Sequence, residues 1–157
     1  MELLCAADVS LHGGHIRCLR FFTVYGPRQR PDMAIHKFMG LLSSGEALPV
    51  YGDGTTGRDY SYIDDVVAAV RGALERPQGF RLYNVGGDRV TQLRELVDLL
   101  GEVVGVTPRI EELPMQAGDV RITWADLARS RAELGYAPRT SLREGLERMW
   151  QWYRTRR

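Results

Sequence analysis

The 157-residue chain predicts an α/β fold, and three observations carry that expectation. Strand-like apolar runs alternate with amphipathic helical stretches along nearly the whole chain. Glycines and prolines punctuate the joins, and no internal repeat or low-complexity linker interrupts the order. With 44% apolar and 26% charged residues, the composition is that of one ordinary globular unit spanning residues 1–157.

Met1 to Leu11 opens without a capping signal, and Leu3, Leu4 and Cys5 resemble the tail of an apolar helix face whose start is absent. The run from His15 to Val24 is almost continuously apolar, with Gly13-Gly14 and Gly26-Pro27 on either side. It is expected to be one strand buried on both faces of a parallel sheet. A helix should follow with Asp32 as its N-cap, Ile35, Phe38, Met39 and Leu42 on its buried face and Gly45 as its stop. Ala47 to Tyr51 reads as a strand.

Asp64 is expected to cap a helix with Val67, Val70 and Leu74 buried and Pro77 at its end. Phe80 to Val85 is strand-like, and Leu93, Leu96, Val97, Leu100, Val103 and Val104 trace a helical stripe closed by Gly105. Arg109 to Leu113 is a short strand candidate, and Asp126 to Leu134 a short helix ended by Gly135. Ser141-Leu-Arg-Glu144 matches a capping box for a last helix with Leu142, Leu146, Met149 and Tyr153 on one side.

Composition also narrows function. The net charge is +1 and no basic stripe is present, which argues against a nucleic acid partner. No apolar run approaches the roughly 18 residues of a membrane span, and the N-terminus lacks a signal-peptide layout. No membrane association and a cytoplasmic location are expected. Cys5 and Cys18 spell neither a zinc site with His12, His15 and His36 nor a disulfide framework, and are expected to be buried thiols.

Gly52, Gly54 and Gly57 spell G-x-G-x-x-G, the pattern of a dinucleotide-binding loop. Such a loop follows the first strand of a βαβ unit and runs directly into a helix. Here Gly57 is followed by the alternating, strand-like Arg58 to Ile63, so a turn between two extended segments is the better reading. Arg58 could give paired hydrogen bonds to a phosphate or carboxylate, a geometry lysine does not match. A surface ion pair with Asp59 or Asp65 explains it equally well.

Seven separated motifs carry a family resemblance: Leu19-Arg-Phe-Phe-Thr-Val-Tyr-Gly-Pro27, Arg30-Pro-Asp-Met-Ala34, Tyr51-Gly-Asp-Gly54, Arg58-Asp-Tyr-Ser-Tyr-Ile-Asp-Asp65, Tyr83-Asn-Val-Gly-Gly87, Gly118-Asp-Val120, and Ala125-Asp126 with Leu134-Gly-Tyr-Ala-Pro138. In this order they resemble the C-terminal half of an NAD-dependent epimerase/dehydratase, an extended short-chain dehydrogenase/reductase acting on nucleotide sugars. The segment Leu19 to Pro27 is most similar to members that epimerise UDP-glucuronate, which carry threonine at the position of Thr23 where many relatives have asparagine.

The resemblance implies the substrate-binding portion of that fold, with an incomplete Rossmann-type sheet. It implies that Thr23 faces the sugar, that Phe22 lies near the nicotinamide of NAD, and that Arg30 and Arg58 meet the diphosphate of a UDP-sugar. It puts Asp119 against the ribose and Tyr51 beside the base. Gln116 stands where many relatives have a phosphate-binding arginine. The residue-level alternatives for Thr23 and Asp119 are a strand hydroxyl bonded to backbone and a turn or cap carboxylate.

The family's glycine-rich NAD loop and its Tyr-x-x-x-Lys pair have no counterpart in these residues. The N-terminal NAD-binding part is therefore expected to be absent, with no catalytic residue here and NAD not held by this chain alone. Three functions follow: half of an enzyme completed by a complementary N-terminal chain, a non-catalytic UDP-sugar-binding module, or a truncated remnant. In each, strands left without neighbours are expected to drive homo-oligomer formation, exchange of segments being one route to it.

Overall fold

The computed structural model describes residues 1–76, 79–115 and 118–155. Along the chain run α1 (Glu2–His12), β1 (Ile16–Phe21), β2 (Thr23–Tyr25), α2 (Ala34–Ser44), β3 (Leu48–Tyr51), β4 (Gly57–Tyr62) and α3 (Ile63–Glu75). They are followed by β5 (Phe80–Val85), β6 (Val90–Gln92), α4 (Leu93–Val104), β7 (Ile110–Leu113), α5 (Ala128–Leu134) and α6 (Leu142–Arg154). The α/β expectation holds, and the parallel pairings β1–β5, β2–β4 and β3–β7 fall in three small sheets. A short strand that periodicity does not mark, β6, adds antiparallel to β4.

The first strand differs from expectation. The run splits at Phe22, whose N–H donates to the Val85 carbonyl at 3.2 Å, so that β1 follows β5 while Thr23 onward pairs with β4. Every β1 residue is half-buried or exposed, and Phe21 keeps 50% of its surface in water. The reason is that β5 is its one strand neighbour among the described residues. Cys5 and Cys18 are accordingly half-buried free thiols rather than buried ones.

Two helix starts also shift. Met33, not Asp32, is the N-cap of α2, because the Asp32 carboxylate is held by Arg30 through Nε–Oδ1 and Nη2–Oδ2 contacts of 3.1 and 2.8 Å. Asp64 lies inside the first turn of α3, whose buried face is Asp65, Val66, Ala69 and Ala73 rather than Val67, Val70 and Leu74. Asp65 turns the helix: its carboxylate accepts the Arg139 and Thr140 amides at 3.2 and 3.1 Å. Val67 and Leu74 are thereby left 49% and 75% exposed. The proposed stop at Pro77 lies outside the described residues.

The other boundaries fall within two residues of the sequence reading: β3 and β7 begin one residue after Ala47 and Arg109, and α5 begins at Ala128 rather than Asp126. Gly45, Gly105 and Gly135 close α2, α4 and α5 in the left-handed conformation. Asp126 accepts the Ala128 amide at the start of α5, and Ser141 Oγ accepts the Glu144 amide at 3.2 Å to cap α6. The Glu144 carboxylate turns outward to Arg148 instead of completing the box.

Two apolar cores result among the described residues. Phe38, Met39 and Leu42 of α2, Leu96, Val97 and Leu100 of α4, and Leu146 and Met149 of α6 close over Tyr25, Leu48, Val50 and Tyr62. The smaller core joins Val66, Ala69 and Ala73 to Tyr83, Val85, Leu127, Leu134 and Tyr136. Between them lies Asp59, fully buried, whose carboxylate accepts the amides of Gly87 and, at 3.1 Å, Ala125. A Cβ on Gly87 would sit 2.0 Å from the Tyr60 carbonyl oxygen, so only glycine lets the two backbones approach this closely.

Burial pushes the Asp59 carboxyl above its ordinary value, against the lowering pull of the two amides. A value raised on folding contributes stability that is complete below the unfolded carboxylate range and fades as pH rises through the folded value. Asp59→Asn turns an amide N–H₂ toward a backbone donor and is expected to cost roughly 1–3 kcal/mol in urea unfolding. The gap between wild type and this variant is expected to narrow as pH rises through the raised Asp59 value; a gap that widens over that range contradicts this account.

Candidate functional site

Tyr51 ends β3, and the loop that follows returns the chain into β4 at Gly57. Gly52 and Gly54 take φ of 74° and 77°, the left-handed region that other residues enter at a cost. Asp53 stiffens the loop by accepting from Thr55 N and Oγ1 at 3.0 and 2.6 Å. The carbonyls of Gly54 and Thr56 accept the Arg94 and Leu93 amides at 3.0 and 2.8 Å. The loop thus caps the N-terminus of α4 with carbonyls, satisfying donors that a phosphate-binding loop would leave for its ligand. The G-x-G-x-x-G pattern is a turn, and its surroundings do not fit an NAD pyrophosphate.

Beyond the loop, Gly57 donates to the Arg121 carbonyl at 2.7 Å and accepts from the Thr123 amide at 3.1 Å. This pairing brings the segment after Gly118 alongside the start of β4 and sets Asp119 against Arg58, Nη2 to Oδ1, at 2.5 Å. Neither Asp59 nor Asp65 is the partner of Arg58, because both accept backbone amides in the interior. The Arg58 and Asp119 side chains remain 23% and 37% exposed.

The pair borders a cleft of about 320 Å³, which Tyr51, Lys37, Phe38, Thr56 and Tyr60 also line. Burial pushes the Tyr60 hydroxyl up to about 12, with Arg58 opposing it, so the phenol stays protonated at neutral pH. Its ring meets Tyr25 edge-on at 6.3 Å between centroids, which fixes that wall against the larger core. Aromatic walls beside Arg58 and Lys37 can hold a planar ring at one end and an anion at the other.

The structure therefore gathers Tyr51, Arg58 and Asp119. Arg30 is an exposed rim residue, tied to the cleft through Asp32, which lines it. Thr23 stands opposite Tyr60 in the β2–β4 register, outside the cleft lining, and Phe22 packs against the smaller core at the β1–β2 break. Gln116 lies outside the described residues. Lys37, Thr56 and Tyr60 are additions that sequence reasoning did not make. Tyr60 had a usable signal, since it shares the strand face of Arg58 two residues on. Lys37, off the apolar stripe of α2, reads in sequence as an ordinary solvated charge.

Residues 1–86 match the NAD dependent epimerase/dehydratase family. The chain belongs to this family. It is 35% identical over 152 residues to the UDP-glucuronate 4-epimerase of Thermodesulfobacterium geofontis, covering 96% of this chain and 47% of that protein. Among solved structures, UDP-glucuronic acid 4-epimerase from Bacillus cereus, in complex with UDP-4-deoxy-4-fluoro-glucuronic acid and NAD, superposes with a TM-score of 0.93 at 34% identity. That match covers 98% of this chain and 50% of the other. UDP-glucose 4-epimerase from Thermotoga maritima, with UDP-glucose, also gives a TM-score of 0.93, at 33% identity and with the same coverage.

This epimerase/dehydratase chain thus spans about half the length of the curated relatives it matches. Its mixed α/β architecture with partial parallel sheets is shared with those structures. As a partly exposed ion pair, Arg58–Asp119 is worth at most about 1 kcal/mol to the fold. Arg58→Ala is therefore expected to lower the unfolding free energy measured in urea by no more than that, and a larger loss would make Arg58 a scaffold residue.

Proposed function

We propose that this chain is the nucleotide-sugar-binding part of an NAD-dependent sugar epimerase/dehydratase, with residues 1–157 forming one such unit, and that its cleft takes a UDP-sugar. The observation that carries the reading is the partly exposed Arg58–Asp119 pair at the edge of an aromatic-walled cleft. A diphosphate would take the paired donors of Arg58, and Asp119 would be released toward a ribose hydroxyl. Tyr51 would lie beside the base, with Lys37 supplying a second cation.

In the same reading Arg30 swings from Asp32 to the diphosphate, Thr23 faces the sugar, and Gln116 takes the place of a relative's arginine. Phe22, at the β1–β2 break, would border the nicotinamide. The glycine loop here, occupied by α4, offers NAD no pyrophosphate site, so we derive no hydride step and assign no catalytic residue to these residues. Turnover would need a complementary N-terminal part carrying the NAD loop; without it the chain is a UDP-sugar-binding module. No helix among the described residues is long and apolar enough to cross a membrane.

Isothermal titration with UDP tests the site. Binding to the wild type and a loss of roughly tenfold or more in Arg58→Ala, equivalent to at least about 1.4 kcal/mol, are expected. No heat with the wild type, or unchanged affinity in the variant, would sink the reading.

A second observation favours self-association as the alternative route to a stable particle. β1 has β5 alone as a strand neighbour among the described residues, and Leu3, Leu4 and Phe21 are 86%, 70% and 50% exposed. An open strand edge beside an apolar surface is a template for another chain. Light scattering at micromolar concentration is expected to give a dimer or larger species, and a stable monomer would contradict this.

A further inference from the structure

The helix α1 lies against β1 and β5, and one ion pair fixes how it lies. Arg20 of β1 grips Glu2 of α1 with both arms of its guanidinium, Nε to Oε1 at 2.8 Å and Nη2 to Oε2 at 2.6 Å. Residues three apart share a helix face, so Cys5 stands one turn beyond Glu2 on the side turned to β1. Residues two apart share a strand face, so Cys18 points the same way as Arg20. The Arg20–Glu2 grip therefore sets Cys5 opposite Cys18 where α1 lies on β1. Both are free and half-buried, open to a small reagent.

We propose that Cys5 and Cys18 form a reversible dithiol–disulfide pair that staples α1 to β1 when a small-molecule disulfide is present. One cysteine, as its thiolate, attacks a sulfur of the small disulfide; a mixed disulfide forms and one small thiolate leaves. The second cysteine, deprotonated in turn, attacks the protein sulfur of that mixed disulfide and expels the other half. The protein gives up two protons and two electrons, and the small disulfide is reduced to two thiols.

Burial, then a hydrogen bond to Cys5 and the negative charge of Cys5 and Glu2, push the Cys18 thiol above its ordinary value. The pair should accordingly close faster as pH rises. In the oxidised state the staple would hold the strand that leads through Phe22 into Thr23. Partial exposure makes such a link reducible, a switch rather than a permanent brace.

The test is to incubate the full chain with oxidised glutathione, trap remaining thiols with iodoacetamide, and map disulfides by mass spectrometry. A Cys5–Cys18 link within one chain is expected, forming at least roughly tenfold faster in buffer than in urea, where the helix no longer aligns the thiols. The oxidised chain should melt roughly 5–10 °C higher, and dithiothreitol should reverse the change. Cys5→Ser and Cys18→Ser should each abolish the shift. Two free thiols, separate glutathione adducts on both cysteines, a link between chains, or no rate advantage over urea would each overturn the proposal.

Discussion

The carboxylate of Asp59 is the tie on which the rest of the structure hangs. It sits in the interior without water contact and draws together three segments remote in sequence: β4, the Gly86-Gly87 turn after β5, and the stretch entering α5 at Ala125. A buried carboxylate is tolerable only with its oxygens satisfied, and here backbone amides do this in place of a counterion. Because amides are fixed to the chain, satisfying the charge also fixes the chain's path.

The cleft is a consequence of that path. With Asp59 facing inward, strand alternation turns Arg58 and Tyr60 to the opposite face, where they meet the cleft. The stretch Arg58-Asp-Tyr-Ser-Tyr-Ile-Asp-Asp65 thus interleaves scaffold and site. Asp59 and Asp65 hold backbone amides inside, whereas Arg58 turns toward an acceptor from a segment more than sixty positions away, Asp119. The same division applies to the glycine loop, whose carbonyls are spent on the N-terminus of α4 and whose service to the site is to steer the chain from Tyr51 to Arg58.

The motif order and the helix patterns were legible in the chain itself. Periodicity located α2, α4 and α6, glycines marked three helix ends, and Ser141 announced its cap, because these features depend on neighbours within one or two turns. Resemblance singled out Tyr51, Arg58 and Asp119, and all three border one cleft. Apolarity could not locate the break at Phe22, since both halves of the run are equally strand-like and the division comes from which strand each half meets.

By itself, then, the sequence determined the α/β class, the family and the local punctuation of the elements, all properties written in short-range pattern. Tertiary structure decided the facing of each polar group. Asp65 rotated α3 by bonding the chain near Arg139, Arg30 took Asp32 from the helix cap, and the return of the chain at Arg121 gave Arg58 its partner. The reason is that a charge selects its neighbour by distance in space, and those distances exist only once the strands have paired.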